Sequence, residues 1–270
     1  MLNETLPMLK AAVQVPSLLK EIYGDIAKPG VSQVGKALGT VLGLGNTLLL
    51  PITLLNERAR MALQNNLEKY RAQLENVPPE NIVCVPPEIG VPITEKLTYV
   101  SNEEISNLYV NLLAKASTAD NAGTAHPRFV SIINGLSPDE ALLFPHIQGQ
   151  LPFLEGRISE IVPGDGFFIP VPGLMTGLER SVQLTYPENL DLYLNNFESL
   201  GLINLQRNVF IAEPIGLYDQ LSAIYQPAIE KAPYFDKYRH RLTFIRGKMQ
   251  ISPLGVLFGK ACLFKLQTRT

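Results

Sequence analysis

The chain has 270 residues, 46% of them hydrophobic and 18% charged, with a formal net charge of -2. This hydrophobic content can bury a core, so the composition excludes a chain that is disordered throughout. The net charge hides an asymmetry, because all 25 acidic residues precede Lys237 while 8 of the 23 Lys and Arg residues lie between Lys237 and the C-terminus.

The first predicted elements are two helices between Val31 and about Asn76. Residues 37–56 are uncharged and approach the hydropathy of a membrane span, but Pro51 is expected to kink or end the first helix. The first ten residues lack the basic start and apolar core of a secretory signal, so we expect a cytoplasmic protein. The second helix is amphipathic, with its apolar side chains on one face: Leu63, Leu67, Tyr70 and Leu74.

Residues 77–93 contain five prolines and are predicted to form an extended linker. A helix is expected next, opened by a capping box from Ser101 to Glu104. Two shorter helices are expected after His126 and after Ser137. The apolar face of the helix that follows the capping box consists of Ile105, Leu108, Tyr109, Leu112, Leu113 and Ala116.

Beyond Gly149 the pattern changes to mixed helix and strand. The segments GFFIPV and SVQLTY are predicted strands, NLDLYLNNFESLGLI is a helix that stops at Gly201, and further strands are predicted at 208–212 and in RLTFIRGKMQIS. A last helix should begin at Pro253. With residues 149–187 as an insertion, this order resembles a winged helix.

We therefore predict a fold with a mainly α N-terminal half and an α+β winged-helix-like C-terminal half. The N-terminal helical region spans residues 1–136 and contains the proline-rich linker. The second domain spans residues 137–270.

The motifs of common enzymes are absent from the sequence. It contains no phosphate-binding loop, no nucleophile elbow, no zinc-protease motif and no dinucleotide-binding glycine pattern. The three histidines, His126, His146 and His240, stand far apart, as do the two cysteines, Cys84 and Cys262. We expect a protein that is not an enzyme and needs no cofactor or metal, although a nuclease site built from Glu and Lys stays open as an alternative.

Three glycines with helical spacing form the first informative pattern: Gly35, Gly39 and Gly43. They share one helix face, so another helix can approach closely. Each glycine weakens an isolated helix by roughly 1 kcal/mol relative to alanine, which packing must offset. Two alternatives remain, tight packing within a soluble bundle or assembly in a bilayer, where Asn46 and Pro51 are tolerable in a helix that inserts conditionally.

The basic C-terminal block is the second informative pattern. Cationic side chains on or beside a two-stranded wing can contact phosphates, with an affinity that falls as salt rises. A solvated face, ion pairing with the acidic body, and contact with anionic lipid or protein are the alternatives. The candidate nucleic-acid contacts are Lys237, Arg239, Arg241, Arg246 and Lys248.

Several unusual strings occur in a characteristic order from Ile22 to Asn81, among them VGKALGT, NLEK and PPEN. The order continues through PPEIGVPI, NLLAKA and the run from His126 to Ala141. In these segments, about half of the chain, the sequence resembles the Abi-alpha family of bacterial abortive-infection proteins. The resemblance implies phage defence by arrest or death of the infected cell, and it supplies no catalytic residues.

Our primary hypothesis is a non-enzymatic effector whose helix between Gly35 and Leu55 associates with the inner membrane or with other copies of the chain after an infection signal. The alternative is a nucleic-acid-binding sensor or regulator that uses the basic C-terminal domain. The expected partners are therefore a second copy of the chain, the inner membrane or nucleic acid, together with an unidentified phage-derived trigger or helper protein. The protein should be cytoplasmic, with membrane association on activation.

Overall fold

The computed structural model describes residues 29–48, 57–161, 168–212 and 216–263. The chain divides into two compact units, residues 1–138 with 257–270, and residues 139–256. The sequence analysis placed 137–270 in one domain, whereas the last residues group with the N-terminal unit. Pro51 and the segment around it lie outside the described residues.

The N-terminal region is helical, as predicted. The apolar face predicted for the amphipathic helix before the linker is buried, and so is the face predicted for the helix after the capping box. Tyr70 of the former and Leu112 of the latter are both 0% exposed. The helices of this region are α1 (Val31–Leu48), α2 (Glu57–Leu74), α3 (Pro87–Lys96), α4 (Glu103–Ala116) and α5 (Pro127–Asn134). Helix α6 (Pro138–Leu143) follows, and from Asp139 onward it belongs to the second unit.

The proline-rich segment does not stay extended as predicted. Helix α3 begins at Pro87, where a missing N–H costs nothing because the first turn of a helix has no partners for its N–H groups. Pro92 lies inside the same helix. The expectation of an extended linker is therefore wrong from Pro87 onward.

The start of α4 also differs from the prediction by one residue. The side chain of Asn102 accepts a hydrogen bond from the Ile105 amide at 3.0 Å, so Asn102 rather than Ser101 is the N-cap. An asparagine oxygen satisfies this donor as well as a serine hydroxyl does. Similarly, Nδ1 of His126 accepts from the Arg128 amide at 3.1 Å and caps α5.

The second unit contains a four-stranded antiparallel sheet in the order β2-β1-β4-β3. Strands β1 and β4 pair along their length, from Gln150 opposite Gln250 to Glu160 opposite His240. The strands are β1 (Gln150–Glu160), β2 (Phe168–Pro170), β3 (Ile203–Arg207) and β4 (His240–Ile251). The remaining helices are α7 (Leu178–Ser181), α8 (Leu190–Ser199), α9 (Leu217–Glu230) and α10 (Pro253–Cys262), of which the first three lie in this unit.

The predicted α+β character is confirmed, while the winged-helix assignment stays a prediction. Helix α8 stops before Gly201, which adopts a φ of 77°, as expected for a helix-ending glycine. The strand predicted at 208–212 lies instead at β3, because Asn208 has a φ of 60° that ends the extended chain. The segment SVQLTY forms no strand, and the long central strand β1 falls within the residues treated as an insertion.

The two faces of the sheet differ. One face is covered by α9, where Leu154 and Ile158 pack in a cluster with Tyr218, Leu221 and Ile229. The other face is buried only toward the β3 side, through residues such as Phe153, Leu205 and Met249. The rest of that face is open and carries the candidate site.

The end of α10 belongs to the first unit. Phe258 is fully buried and stacks edge-on against Phe129 with ring centroids 5.7 Å apart. The Asn111 amide of α4 donates to the Cys262 carbonyl at 2.8 Å. These contacts make the end of α10 part of the N-terminal core.

Candidate nucleic-acid interface

The uncovered part of the sheet, called here the open face, carries three arginines. Arg157 pairs with Thr243 and with Pro170, and the next position of the same face pairs Ser159 with both Arg241 and Phe168. Directly paired residues of an antiparallel sheet share a face, so these side chains project together. The open face consists of Glu155, Arg157, Ser159, Phe168, Pro170, Arg207, Arg241, Thr243 and Ile245.

The arginines of the open face have different partners. The Arg157 guanidinium lies over the Phe168 ring, 4.3 Å from its centroid, in a cation–π contact. Arg207 donates to the Glu155 carboxylate at 2.7 Å. In the described part of the chain, no carboxylate forms an ion pair with Arg157 or Arg241. Two positive charges on this face are therefore not neutralised by those residues.

The segment that leads into β4 extends this cationic surface. Lys237, Tyr238 and Arg239 are exposed, and the Tyr238 ring is 80% exposed with the Lys237 amine 5.0 Å from its centroid. The Ile161 amide donates to the Arg239 carbonyl at 2.8 Å, which fixes the segment beside the end of β1. Exposed aromatic rings beside cations are the elements that bind unstacked bases and phosphates.

The five predicted nucleic-acid contacts do not share one surface. Lys237, Arg239 and Arg241 lie at or before the start of β4, at the exposed end of the sheet. Arg246 and Lys248 alternate onto the other face of β4, where Arg246 lies 3.5 Å from Asp219 and over the Tyr218 ring. The sequence block is continuous, but the alternation of side chains along a strand divides it.

Gly35 and Gly39 of α1 lie away from its buried side. Val34, Leu38 and Val41 are fully buried, whereas Gly35 and Gly39 are half-buried. An added Cβ at Gly39 meets no atom of the described residues within 4 Å. Gly43 and Asn46 lie in the same helix, and Pro51 lies outside the described residues.

The close approach between α1 and another helix occurs at a different glycine. A Cβ added at Gly90 of α3 would collide with the Val41 side chain and lie 3.1 Å from Val85. The amide of Val85 donates to the Ala37 carbonyl at 2.9 Å, which joins the two segments. Tight packing within the first unit therefore uses Gly90 and leaves Gly39 open.

The described residues contain no group of three or more His, Cys, Asp or Glu side chains that could hold a metal ion. Cys84 is exposed, and Cys262 is buried in surroundings that raise the pKa of its thiol. In the ranges that the structure covers, no helix is both long enough and apolar enough to cross a membrane.

The sequence analysis missed Arg157, Phe168 and Arg207 as site residues. The first two lie in the region treated as an insertion, and the sequence of β1 does not indicate which strands pair with it. The role of Asp139 in α6 was not predicted either. Its carboxylate accepts from the Thr185 and Tyr186 amides at 2.9 and 2.8 Å and from the Tyr193 hydroxyl at 2.9 Å.

These features define an α+β protein with a cationic, partly aromatic sheet face. A family model described as abortive infection alpha matches residues 62–262, which is most of the chain. The chain belongs to the abortive infection alpha family, and this membership indicates a role in abortive infection. Neither the comparison with curated proteins nor the comparison with solved structures found a match.

Proposed function

We propose that this abortive-infection protein binds single-stranded nucleic acid across the open face of its sheet. The observation that carries the proposal is the juxtaposition of Arg157 and Arg241, which lack carboxylate partners among the described residues, with the exposed Phe168 ring. Phosphates require cations and unstacked bases require flat rings, and the open face offers both.

The geometry favours a single strand over a duplex. The Phe168 and Tyr238 rings are exposed, and a ring can stack only on a base whose face is free. A duplex offers its phosphates but keeps its bases stacked on one another. The exposed rings would then gain little, and only the cations would contribute.

The test measures binding of a mixed-sequence RNA and the corresponding single-stranded DNA to the full chain by fluorescence anisotropy over a salt series. For each arginine that contacts a phosphate, replacement should reduce the slope of log K against log salt by roughly 0.7. We expect this reduction for Arg157→Ala and for Arg241→Ala.

The matched control is Arg246→Ala, which removes an arginine of the same strand from the covered face. Its binding should equal that of the unaltered chain. The proposal is wrong if no oligomer binds at low salt, or if the control loses as much affinity as Arg241→Ala. Preference for anionic vesicles over both oligomers would instead assign the cations to lipid.

A second candidate is self-association, at a membrane or in solution, through the glycine face of α1. The observation that favours it is the open space at Gly39, because the described residues offer no packing that offsets the cost of this glycine. The free energy of unfolding should not fall for Gly39→Leu, whereas Gly90→Ala should lower it through the collision with Val41.

This difference separates function from folding. If α1 associates with another helix through its glycines, Gly39→Leu abolishes both self-association and leakage of liposomes while the chain stays folded. Phage protection by cells expressing Gly39→Leu at the normal level would contradict this candidate. Equal leakage with the unaltered chain and the variant would contradict its membrane form.

A further inference from the structure

A small depression lies next to the open face and is formed entirely by the second unit. Its volume is about 200 Å³. At roughly 30 Å³ per water molecule, this is the space of six or seven waters, or of one planar heterocycle. The polar and aromatic side chains that line it are Glu155, Arg157, Phe168, Asp191, Asn195 and Arg207.

The charges in the depression balance. Two carboxylates and two guanidinium groups line it, and one pair, Glu155 with Arg207, is joined at 2.7 Å. A bare phosphate gains little from a site with no net charge, because the attraction of the arginines is opposed by the carboxylates. A neutral polar group suits this site better.

Beside the donors of Arg157, two side chains of the depression offer acceptors to a ligand. One oxygen of Asp191 accepts from the Leu174 amide at 3.0 Å, and the described residues give the other oxygen no partner. The Asn195 side-chain amide donates to the Asp191 carbonyl at 2.6 Å, which leaves its own oxygen free to accept. A ligand that fits must therefore present donors to Asp191.

We infer that the depression binds one unstacked guanine base of the single strand that the proposed function places on the open face. Guanine carries two adjacent donors on its pairing edge, N1–H and N2–H, which match a carboxylate. Adenine and cytosine place one amino donor beside an acceptor, and uracil places one donor between two carbonyl groups. The Phe168 ring and the Arg157 guanidinium supply the flat surface against which the base stacks.

The experiment compares two RNA oligomers on the full chain, one of uridines only and one with a single central guanosine. We expect the guanosine to raise affinity about tenfold or more, as a bidentate contact to a base edge does. Asp191→Asn should remove this preference, because it replaces one accepting oxygen with a donor while the remaining oxygen can still accept from Leu174. Asp219→Asn, which changes a carboxylate on the covered side, is the matched control and should keep the preference.

Binding of guanosine monophosphate, followed by its effect on thermal unfolding, separates this inference from the proposed function. Equal affinity for both oligomers, or a guanosine preference that survives Asp191→Asn, overturns the guanine site while the open face stays a nucleic-acid surface. If guanosine monophosphate stabilises the chain through Asp191 but no oligomer binds, the guanine site holds and the proposed function fails. If neither oligomers nor guanosine monophosphate bind, both are wrong.

Discussion

The two faces of the second unit's sheet are formed by the same strands but differ in burial and in charge. On the covered face, Leu154 and Ile158 are each 1% exposed and pack against the cluster formed with α9. On the open face, the neighbouring positions Arg157 and Arg241 carry charge, and the α8 side chains Asp191 and Asn195 line the depression at its edge. Alternation along a strand thus separates the residues that stabilise the fold from residues that are free to bind.

The largest expected effect is on the covered face. Leu154→Ala should lower the free energy of unfolding by about 3 kcal/mol, because it removes a buried side chain and leaves a cavity. Ile245→Ala, on the adjacent strand but on the half-exposed open face, should cost less than about 1 kcal/mol. Urea denaturation of both variants measures the difference, and equal losses would contradict the assignment of the two faces.

The stabilisation that comes from the hydrogen bonds between Asp139 and the start of α8 should depend on pH. Burial alone would raise the pKa of Asp139, but hydrogen bonds from Thr185, Tyr186 and Tyr193 outweigh it and hold that pKa below its usual value. The stabilisation is therefore present above the pKa of an unfolded aspartate, about 3.9, and is lost as pH falls through the lower folded value.

We expect Asp139→Asn to lower the free energy of unfolding by about 2 kcal/mol at neutral pH, because a carboxylate oxygen that accepts two of the bonds is replaced. The difference from the unaltered chain should shrink as the solution is acidified toward pH 3. Chemical unfolding over a pH series checks this, and a difference that grows in acid would contradict it.

A smaller effect is expected where α9 is joined to β4 through a hydroxyl. The Tyr218 hydroxyl donates to the Gly247 carbonyl and accepts from the Ile211 amide, each at 2.9 Å. Tyr218→Phe should lower the unfolding free energy by about 1 kcal/mol, since the buried ring stays in place. Its melting curve should lie between those of the unaltered chain and Leu154→Ala.

The smallest effect on stability belongs to the open face. Arg241 is exposed and forms no ion pair among the described residues, so Arg241→Ala should change the unfolding free energy by no more than about 0.5 kcal/mol. A nucleic-acid affinity that falls while the melting temperature stays constant is the expected combination. A large loss of stability would assign this arginine to the fold instead.

Local patterns allowed the helices of the first unit to be predicted, because their apolar spacing matches one buried face. The prediction of an extended linker failed at Pro86 and Pro87, because proline breaks a helix in its interior but is favoured at its first position. In the second unit, β4 was expected and β1 was not, although each is the other's partner. Pairing between strands 90 residues apart depends on register, which no local pattern contains.

The candidate site was predicted only in part, because it too depends on the pairing of distant strands. The cationic block drew attention to Arg241, but only the register of β1 places Arg157 and Phe168 beside it. Asp191 lies in a helix whose sequence does not mark it as a site residue, and its carboxylate accepts a hydrogen bond from the amide of Leu174, seventeen residues earlier.

The position of Phe258 in the N-terminal core has a consequence for synthesis on the ribosome. Phe129 emerges first, and synthesis must continue as far as Phe258 before the space beside the Phe129 ring is filled. A chain interrupted by premature arrest of translation would leave that gap exposed, which makes incomplete copies a target for proteolysis. We therefore expect a chain truncated before Phe258 to be less stable than the chain that contains it.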